Sequence, residues 1–474
     1  MSRTLLDADL IARFAAIVGM RHALTDPAEI APYVQEPRGR WPGRSSLVLR
    51  PGSTAEVSTI LKLADETCTP IVPQGGNTGL VGGQMPDLTG GEIVLSLARM
   101  NAIREFDAES ATLTVDAGCI LSVIQRRAEE AGFLFPLSLA SEGSCQIGGN
   151  LSSNAGGVAV LAYGNARDLC LGLEVVLPGG AVLDDLRKLK KDNTGYDLKN
   201  LFIGAEGTLG VITGAVLKLY PKPKGRAVAW VGLSSPAAAL DLFRRASSAA
   251  GPALVSFELI ADQALAFALK HGRGLIPPLA GRHRWHVLLE IAALANEQAA
   301  APVAETLLEE AFAAGEIEDA MLARSEAQAA ALWRIRETIP ETQKAEGASV
   351  KHDISVPVAS IPGFIAWANA AVEAVSPDAR IVCFGHMGDG NLHFNISQPA
   401  GADAAAFLAG EEALHAAVHS VVRTYDGSIS AEHGIGRMKR DELAATAPPI
   451  ALDLMRRIKN AFDPNGIMNP GKVL

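Results

Sequence analysis

The stretch Arg380-Ile-Val-Cys-Phe-Gly-His386-Met-Gly-Asp-Gly-Asn-Leu-His393-Phe-Asn395 carries two imidazoles on either side of an Asp-Gly pair. If Asp389-Gly390 forms a two-residue hairpin loop, Gly388 faces Asn391, Met387 faces Leu392 and His386 faces His393. Directly opposed residues on one face have Cβ atoms roughly 5 Å apart, close enough for two ring nitrogens to converge on one ion, and the next pair on that face is Phe384 with Asn395. Taken alone, the pair is also what an ordinary surface hairpin shows. A second segment, Ser428-Ile-Ser-Ala-Glu432-His433-Gly-Ile-Gly436, adds a carboxylate beside a histidine in a run too rich in Gly and Ser for a helix interior. It offers a third ligand and a separate base. Two imidazoles and one carboxylate suit a divalent ion such as zinc, and three protein ligands leave an open position for a substrate oxygen. Open coordination points to catalysis rather than to structure.

The surrounding text divides into two kinds. From about residue 45 to 222, short β-rich runs alternate with glycine loops: Ser46-Leu-Val-Leu, Pro70-Ile-Val, Glu92-Ile-Val-Leu, Ala111-Thr-Leu-Thr-Val, Leu173-Glu-Val-Val-Leu and Val211-Ile-Thr-Gly-Ala-Val-Leu-Lys-Leu. Helices are expected over 54–66 and 121–131, the latter stopped by Gly132. Lys222-Pro-Lys-Gly marks a break. Beyond it, Ala-rich amphipathic segments at 236–250, 296–314 and 325–337 alternate with strand candidates such as Trp285-His-Val-Leu-Leu-Glu-Ile, which suggests a sheet with helices on one face. The expected class is α+β, with domains at 1–222, 223–430 and 431–474.

Three glycine-rich loops fall in the first region. Pro73-Gln-Gly75-Gly76-Asn77-Thr78-Gly79-Leu80-Val-Gly82-Gly83 follows an apolar run, Gly143-Ser144-Cys-Gln-Ile-Gly-Gly149-Asn150 continues to Gly157, and Gly204-Ala-Glu206-Gly-Thr-Leu-Gly-Val-Ile212-Thr precedes a strand. Glycine lets backbone N–H groups approach an anion and adopt positive φ, so such loops can cradle a pyrophosphate. The first loop lacks the spacing and following helix of a Rossmann turn, which disfavours NAD bound in that mode. Read singly, each is a turn cluster; together they suit a long dinucleotide.

These motifs, with Gly-His-Met-Gly-Asp-Gly-Asn-Leu-His and Ala-Glu-His-Gly-Ile-Gly, resemble the FAD-linked D-2-hydroxyacid dehydrogenases of the vanillyl-alcohol-oxidase superfamily from about residue 30 to the end. D-2-hydroxyglutarate dehydrogenases are the most similar group, with D-lactate dehydrogenases and the glycolate oxidase flavin subunit as neighbours. The resemblance implies a two-subdomain FAD-binding domain, an α+β substrate cap and a helical C-terminal return. It implies FAD contacts from Pro73, Gly75, Gly76, Asn77, Thr78, Gly79, Leu80, Gly82, Ser144, Gly149, Asn150, Gly157, Glu206, Ile212 and Asn469. The first loop has no His or Cys, so FAD is expected to be held noncovalently. By the same resemblance His386, His393 and Glu432 are metal ligands, His433 is the base, and Asn395, Arg336 and Lys351 contact the substrate. Arg334 competes with Arg336 for the carboxylate. Four residues after Arg336, where the hydroxyglutarate-specific relatives place a hydroxyl, stands Pro340; Thr338 or Thr342 would have to compensate, or the substrate is lactate-sized. The implied reaction converts a D-2-hydroxy acid (D-2-hydroxyglutarate or D-lactate) to the 2-oxo acid. The metal would polarise the hydroxyl and the α-hydride would pass to flavin N5; a neutral imidazole is needed, so activity should fall in acid. Electrons would go to an electron-transfer flavoprotein, a quinone or a cytochrome. Two alternatives stay open: a flavin subunit of a glycolate-oxidase-like complex, and a non-redox transferase like alkyl-glycerone-phosphate synthase.

Composition narrows the partners. A net charge of −10 and only short basic runs argue against nucleic acid. Five scattered cysteines without a Cys-x-x-Cys pair fit a reducing compartment, so a cytoplasmic protein is expected. The first ten residues show neither a signal nor a transit pattern, and the longest uncharged run, 143–166, is too rich in Gly, Asn and Ser to span a membrane. A homodimer is the assembly weighed.

Overall fold

The computed structural model describes residues 6–36 and 38–474; the first five residues of the amino-terminal stretch read above lie outside it. The chain divides into two compact units, one of Met1–Ala155, Asn165–Pro221 and Glu432–Leu474, the other of Gly156–Gly164 and Lys222–Ala431.

In the first unit the β-rich runs form two sheets. Val48–Leu49, Ile93–Ser96 and Ile71–Gln74 pair in parallel, with Ala23–Leu24 antiparallel at the edge. Val48, Leu49, Ile71, Val72, Ile93, Val94 and Leu95 on these strands are fully buried, as parallel strands covered on two sides must be. The helix Thr54–Glu66, capped by Ser53 accepting from the Glu56 amide, turns Val57, Ile60, Leu61 and Ala64 inward at helical spacing. A five-stranded antiparallel sheet runs Ile103–Asp107, Thr112–Asp116, Val211–Lys218, Cys170–Val176 and Val182–Asp185. The tail joins the first sheet: the Ile71 amide donates to Ile467 O at 2.8 Å, and the Asn469 amide to Ile71 O at 2.8 Å.

The second unit is built on an eight-stranded antiparallel sheet, in the order Asp319–Leu322, Gly225–Leu233, Trp285–Ala293, Leu254–Ala261, Arg380–His386, Asn391–Ser397 and Ser349–Val350, with Asp353–Ser355 also paired to Asn391–Ser397. Helices cover both faces, not one. Along Gly225–Leu233, Ala227, Ala229, Val231 and Leu233 enter a core with helices Pro236–Ala250 and Ala300–Ala313, whereas Val228 and Trp230 enter another with Asp262–His271 and Glu326–Thr342. From Ala227 to Leu233 the strand has no charged or polar side chain and no solvent face, and that unbroken run is the cue for two helical layers. The helix expected to end at 337 continues to Thr342 through Pro340, because Ile339 and Thr342 still have a core to enter. Val358–Val375 is long and apolar enough to cross a membrane, with mean hydropathy 1.4, but it buries Ile361, Phe364, Ile365, Ala368 and Val372 in the first of these cores.

Beyond Thr342, Glu346 gathers three hydrogen-bond donors. It accepts from Lys270 Nζ and His271 Nε2 at 2.6 Å each and from Arg380. Those bonds, Lys270 first, hold its carboxyl down at about 2. A depressed carboxylate stabilises above the unfolded value near 4.5 and loses that contribution as pH falls toward 2. Because Lys270 is largely exposed, screening leaves about 1–2 kcal/mol. Glu346→Gln should therefore lower stability at pH 7 by that amount and flatten the pH dependence between about 5 and 2, read by urea unfolding across pH. An unchanged acid slope would refute it.

Candidate active site

In the first unit, the three glycine loops and the tail converge. A Cβ on Gly76 would lie 2.1 Å from Ser144 O, and one on Gly75 would meet Gln146 and the Gly149 backbone, so the first two loops touch backbone to backbone. Pro73 lies on strand Ile71–Gln74 and packs against Gly207, Gly82 sits over Trp41 with φ +73, and Leu80 O accepts from Arg38. Gly79 O accepts from Gln84, and Thr78 lies between it and Asn77. The second loop holds a short helix, Ile147–Ser152, on which Gly149 and Asn150 sit. Ile212 is buried on Val211–Lys218, whereas Gly157 belongs to the segment assigned to the second unit. Asn469 donates through Nδ2 to Gly83 O at 2.9 Å and Glu206 O at 2.7 Å, clipping first loop to third.

Two observations fit this cradle to a polar, planar ligand. Asn77, Asn154, Glu206 and Asn469 all have positive φ, strain that clusters where a surrounding structure is shaped for something else. Gln146 Oε1, Asn150 Oδ1 and Asn469 Oδ1 are buried acceptors with no protein donor among the described residues, a condition folded proteins rarely leave unanswered. Burial pushes the Cys145 thiol up, which suits an inert core residue and not a flavin linkage. Gly76→Ala should yield a folded but colourless protein, with an FAD-to-protein ratio far below that of the parent by visible absorbance, because the clashing atom is backbone and cannot yield. A fully yellow variant would show that the loop contact is dispensable.

Glu432-His433 also lies in this unit, its carboxylate 3.8 Å from His433 Nε2. Glu206 orients the loop that follows, accepting the Ile435 and Gly436 amides at 2.7 and 2.8 Å. Gly434, at φ +83, has no room for a Cβ, which would lie 2.7 Å from Glu206 Oε1. Burial pushes the Glu206 carboxyl up, while those two amides draw it back.

The second unit carries the histidine pair in a register other than the one expected. Met387–Asp389 forms a 3₁₀ turn closed by Gly390 in the left-handed region, so the connection is longer than two residues. His393 faces Phe384, Asn395 faces Val382, and His386 pairs instead with Glu258 on the next strand. The slip is even. Side chains alternate with period two, so His386 and His393 keep a common face as diagonal neighbours with ring centroids 5.7 Å apart.

Glu258 is the group that the motifs did not reveal. Its carboxylate accepts from Arg336 Nε at 2.7 Å and meets His386 Nδ1 at 2.5 Å, in a place where Glu258 is 1% exposed. Burial alone would push that carboxyl up; its contacts with His386 and Arg336 outweigh burial and hold it at about 2. A carboxylate on Nδ1 fixes the tautomer and leaves Nε2 as the basic nitrogen, the usual outer partner of a ligating histidine. The Arg336 guanidinium also stacks over Phe384 at 4.8 Å, and Phe384 packs on His393. Its competitor Arg334 lies on the exposed helix face and donates to Gly274 O, which removes it from this cluster.

Asp353, across the ladder from His393, offers an oxygen within 4.8 Å of that imidazole and accepts from Asn391. Lys351 stands two residues before it, half-buried. Asn395 is engaged at both ends, Nδ2 to Gln343 Oε1 at 3.0 Å and Oδ1 from the His352 amide at 3.1 Å, so it also ties the helix end to this strand. The Thr338 hydroxyl donates to Arg334 O and that of Thr342 to Ile339 O, so both are turned to their own helix. The unit's last residue, Ala431, donates to Asp353 O at 3.3 Å, and Glu432 and His433 follow it directly in the chain.

Residues 222–473 match the family described as FAD linked oxidases, C-terminal domain, and residues 45–185 match the FAD binding domain. A D-2-hydroxyglutarate dehydrogenase of Xanthomonas citri pv. viticola is 39% identical over 95% of this chain and 93% of its own length; that of Bos taurus, named as mitochondrial, is 41% identical over 95% and 81%. A D-2-hydroxyglutarate–pyruvate transhydrogenase of Saccharomyces cerevisiae is 36% identical over 99% and 95%. Among solved structures, p-cresol methylhydroxylase superposes with a TM-score of 0.75 at 17% identity over 98% of this chain and 96% of its own, and alkyldihydroxyacetonephosphate synthase with 0.71 at 17% over 99% and 86%, likenesses of fold alone. The chain therefore belongs to the FAD-linked oxidases, with the vanillyl-alcohol-oxidase fold, in the group that includes the D-2-hydroxyglutarate dehydrogenases, and is an FAD-dependent dehydrogenase.

Proposed function

We propose that the chain oxidises a D-2-hydroxy acid, D-2-hydroxyglutarate before D-lactate, to the 2-oxo acid. The observation that carries this reading is the buried Arg336–Glu258–His386 constellation beside His393, a cation and two imidazoles on one face. Noncovalent FAD would be held by the three loops of the first unit and would supply, at N5, the two-electron acceptor for the α-hydride. A divalent metal, zinc first, would be held by His386, His393 and Glu432 and would polarise the substrate hydroxyl. Arg336 and Lys351 bind carboxylate, the guanidinium being suited to a bidentate grip. Asn395 orients the substrate from the neighbouring strand, and His433 accepts the hydroxyl proton.

Pro340 supplies no hydroxyl for a second carboxylate. Lys351 is then the main candidate for that end of a dicarboxylate. We also propose a cytoplasmic location, supported by five free cysteines, and electron delivery to an electron-transfer flavoprotein, quinone or cytochrome. The test is the anaerobic visible spectrum of the metal-replete protein mixed with D-2-hydroxyglutarate, D-lactate and their L forms. Bleaching by D-2-hydroxyglutarate fastest, with the L forms inert, is the expected result. A yellow protein that no 2-hydroxy acid bleaches would overturn the reading and favour a non-redox reaction or a subunit that works only within a complex.

A further inference from the structure

A second group of imidazoles lies in the second unit, on residues that the proposed reaction does not use. Helix Glu411–Thr424 carries His415 and His419 one turn apart, and both turn toward His352, which sits between strands Ser349–Val350 and Asp353–Ser355. His352 Nε2 is 3.0 Å from His415 Nδ1, the rings of His352 and His419 are 5.2 Å apart, and those of His415 and His419 stack at 5.5 Å. One nitrogen from each of the three lies within 4.8 Å of the others. Around a tetrahedral ion with metal–nitrogen bonds near 2.0–2.1 Å, ligand nitrogens stand roughly 3.3 Å apart, so small rotamer changes bring the three into place.

The outer contacts have the form a metal site needs. His352 Nδ1 lies 2.8 Å from Phe394 O, and a carbonyl can only accept, so Nδ1 carries the proton and Nε2, turned to His415, is the basic nitrogen. On the far side, His415 Nε2 is 3.5 Å from Glu411 Oε1, one turn earlier on the same helix. A carbonyl behind one ring and a carboxylate behind another are the partners that fix ligating histidines. His352 and His419 are 2% and 3% exposed, and the same helix buries Leu414, Val418 and Val422 in the core. We propose that His352, His415 and His419 form a second divalent-cation site, for a borderline ion such as Zn²⁺, clamping helix Glu411–Thr424 to the strand segment that bears Lys351 and Asp353.

None of these ligands belongs to the metal site proposed above, so the two stand or fall separately. The experiment loads the chelator-stripped, FAD-containing full chain with Zn²⁺ and counts bound metal after gel filtration. It does so in the parent, in His393→Ala/Glu432→Gln, in His415→Ala/His419→Ala and in the combination. His393→Ala/Glu432→Gln should keep one Zn²⁺ per chain and a Zn²⁺-dependent rise in melting temperature, and adding His415→Ala/His419→Ala should abolish both. If His415→Ala/His419→Ala binds as much Zn²⁺ as the parent, or His393→Ala/Glu432→Gln binds none, the second site is refuted. Equal binding by the parent and His393→Ala/Glu432→Gln would refute the first site and leave the second standing. The milder His415→Gln/His419→Gln pair, with its flavin absorbance checked, must reproduce the loss; if it binds Zn²⁺ like the parent, the second site is refuted.

Discussion

His433→Asn should purify as a yellow protein with normal FAD content, yet its flavin should be bleached by D-2-hydroxyglutarate about a thousandfold more slowly than in the parent. The argument begins with what asparagine keeps. It preserves a polar side chain of similar reach and places no new bulk near Gly434, whose conformation Glu206 already restricts. What it cannot do is accept the hydroxyl proton, and a positioned general base contributes about 10²–10⁴ in rate. The loop itself should hold, because its register is set by the Ile435 and Gly436 amides on Glu206 and not by the imidazole. Anaerobic stopped-flow separates the outcomes: the bleaching rate constant at saturating acid should collapse while the concentration giving half the maximal rate changes little. A variant within tenfold of the parent would remove His433 from the role of base.

The candidate residues stand out in the sequence because they sit in short motifs. His386, His393, Glu432 and His433 stand beside Gly and Asp residues that announce turns, and the glycine loops announce close backbone approach. The hairpin register was not legible. Asp-Gly is the signature of a two-residue loop, but here a 3₁₀ turn precedes Gly390, and only tertiary pairing of His386 with Glu258 decides between the two. Period two rescued the conclusion, since an even slip keeps both imidazoles on one face. The helices on the second face were missed for a related reason. Val228 and Trp230 alternate with Ala227, Ala229 and Val231 in one apolar run, and local sequence does not specify what either side of such a run packs against. Gly156–Gly164, assigned to the second unit, carries no composition shift that would have marked a crossing.

Glu258 was hidden because a lone acid in Leu254-Val-Ser-Phe-Glu-Leu-Ile-Ala261 belongs to no pattern, although a carboxylate in a buried strand always needs a partner. Its removal is the second large effect expected. Glu258→Gln keeps the shape but withdraws the negative charge, leaving the Arg336 guanidinium buried over Phe384 without its counter-ion. Breaking a buried pair from one side costs about 3–5 kcal/mol, and a hydrogen-bonding amide should reduce that to about 2–3 kcal/mol. Activity should suffer separately. His386 loses the group that orients Nδ1, and losing such an outer partner typically costs 10–100-fold in metal affinity or rate. The two consequences can be told apart by adding Arg336→Gln. With both charges gone the interior is neutral again, so the double variant should recover much of the stability lost by Glu258→Gln in urea unfolding. Its bleaching rate with D-2-hydroxyglutarate should instead fall further, because the cation proposed to bind the substrate carboxylate is gone. If stability fails to recover, Glu258 is not acting chiefly as the counter-ion of Arg336. If the rate of the single variant matches that of the parent, Glu258 holds the fold without positioning His386.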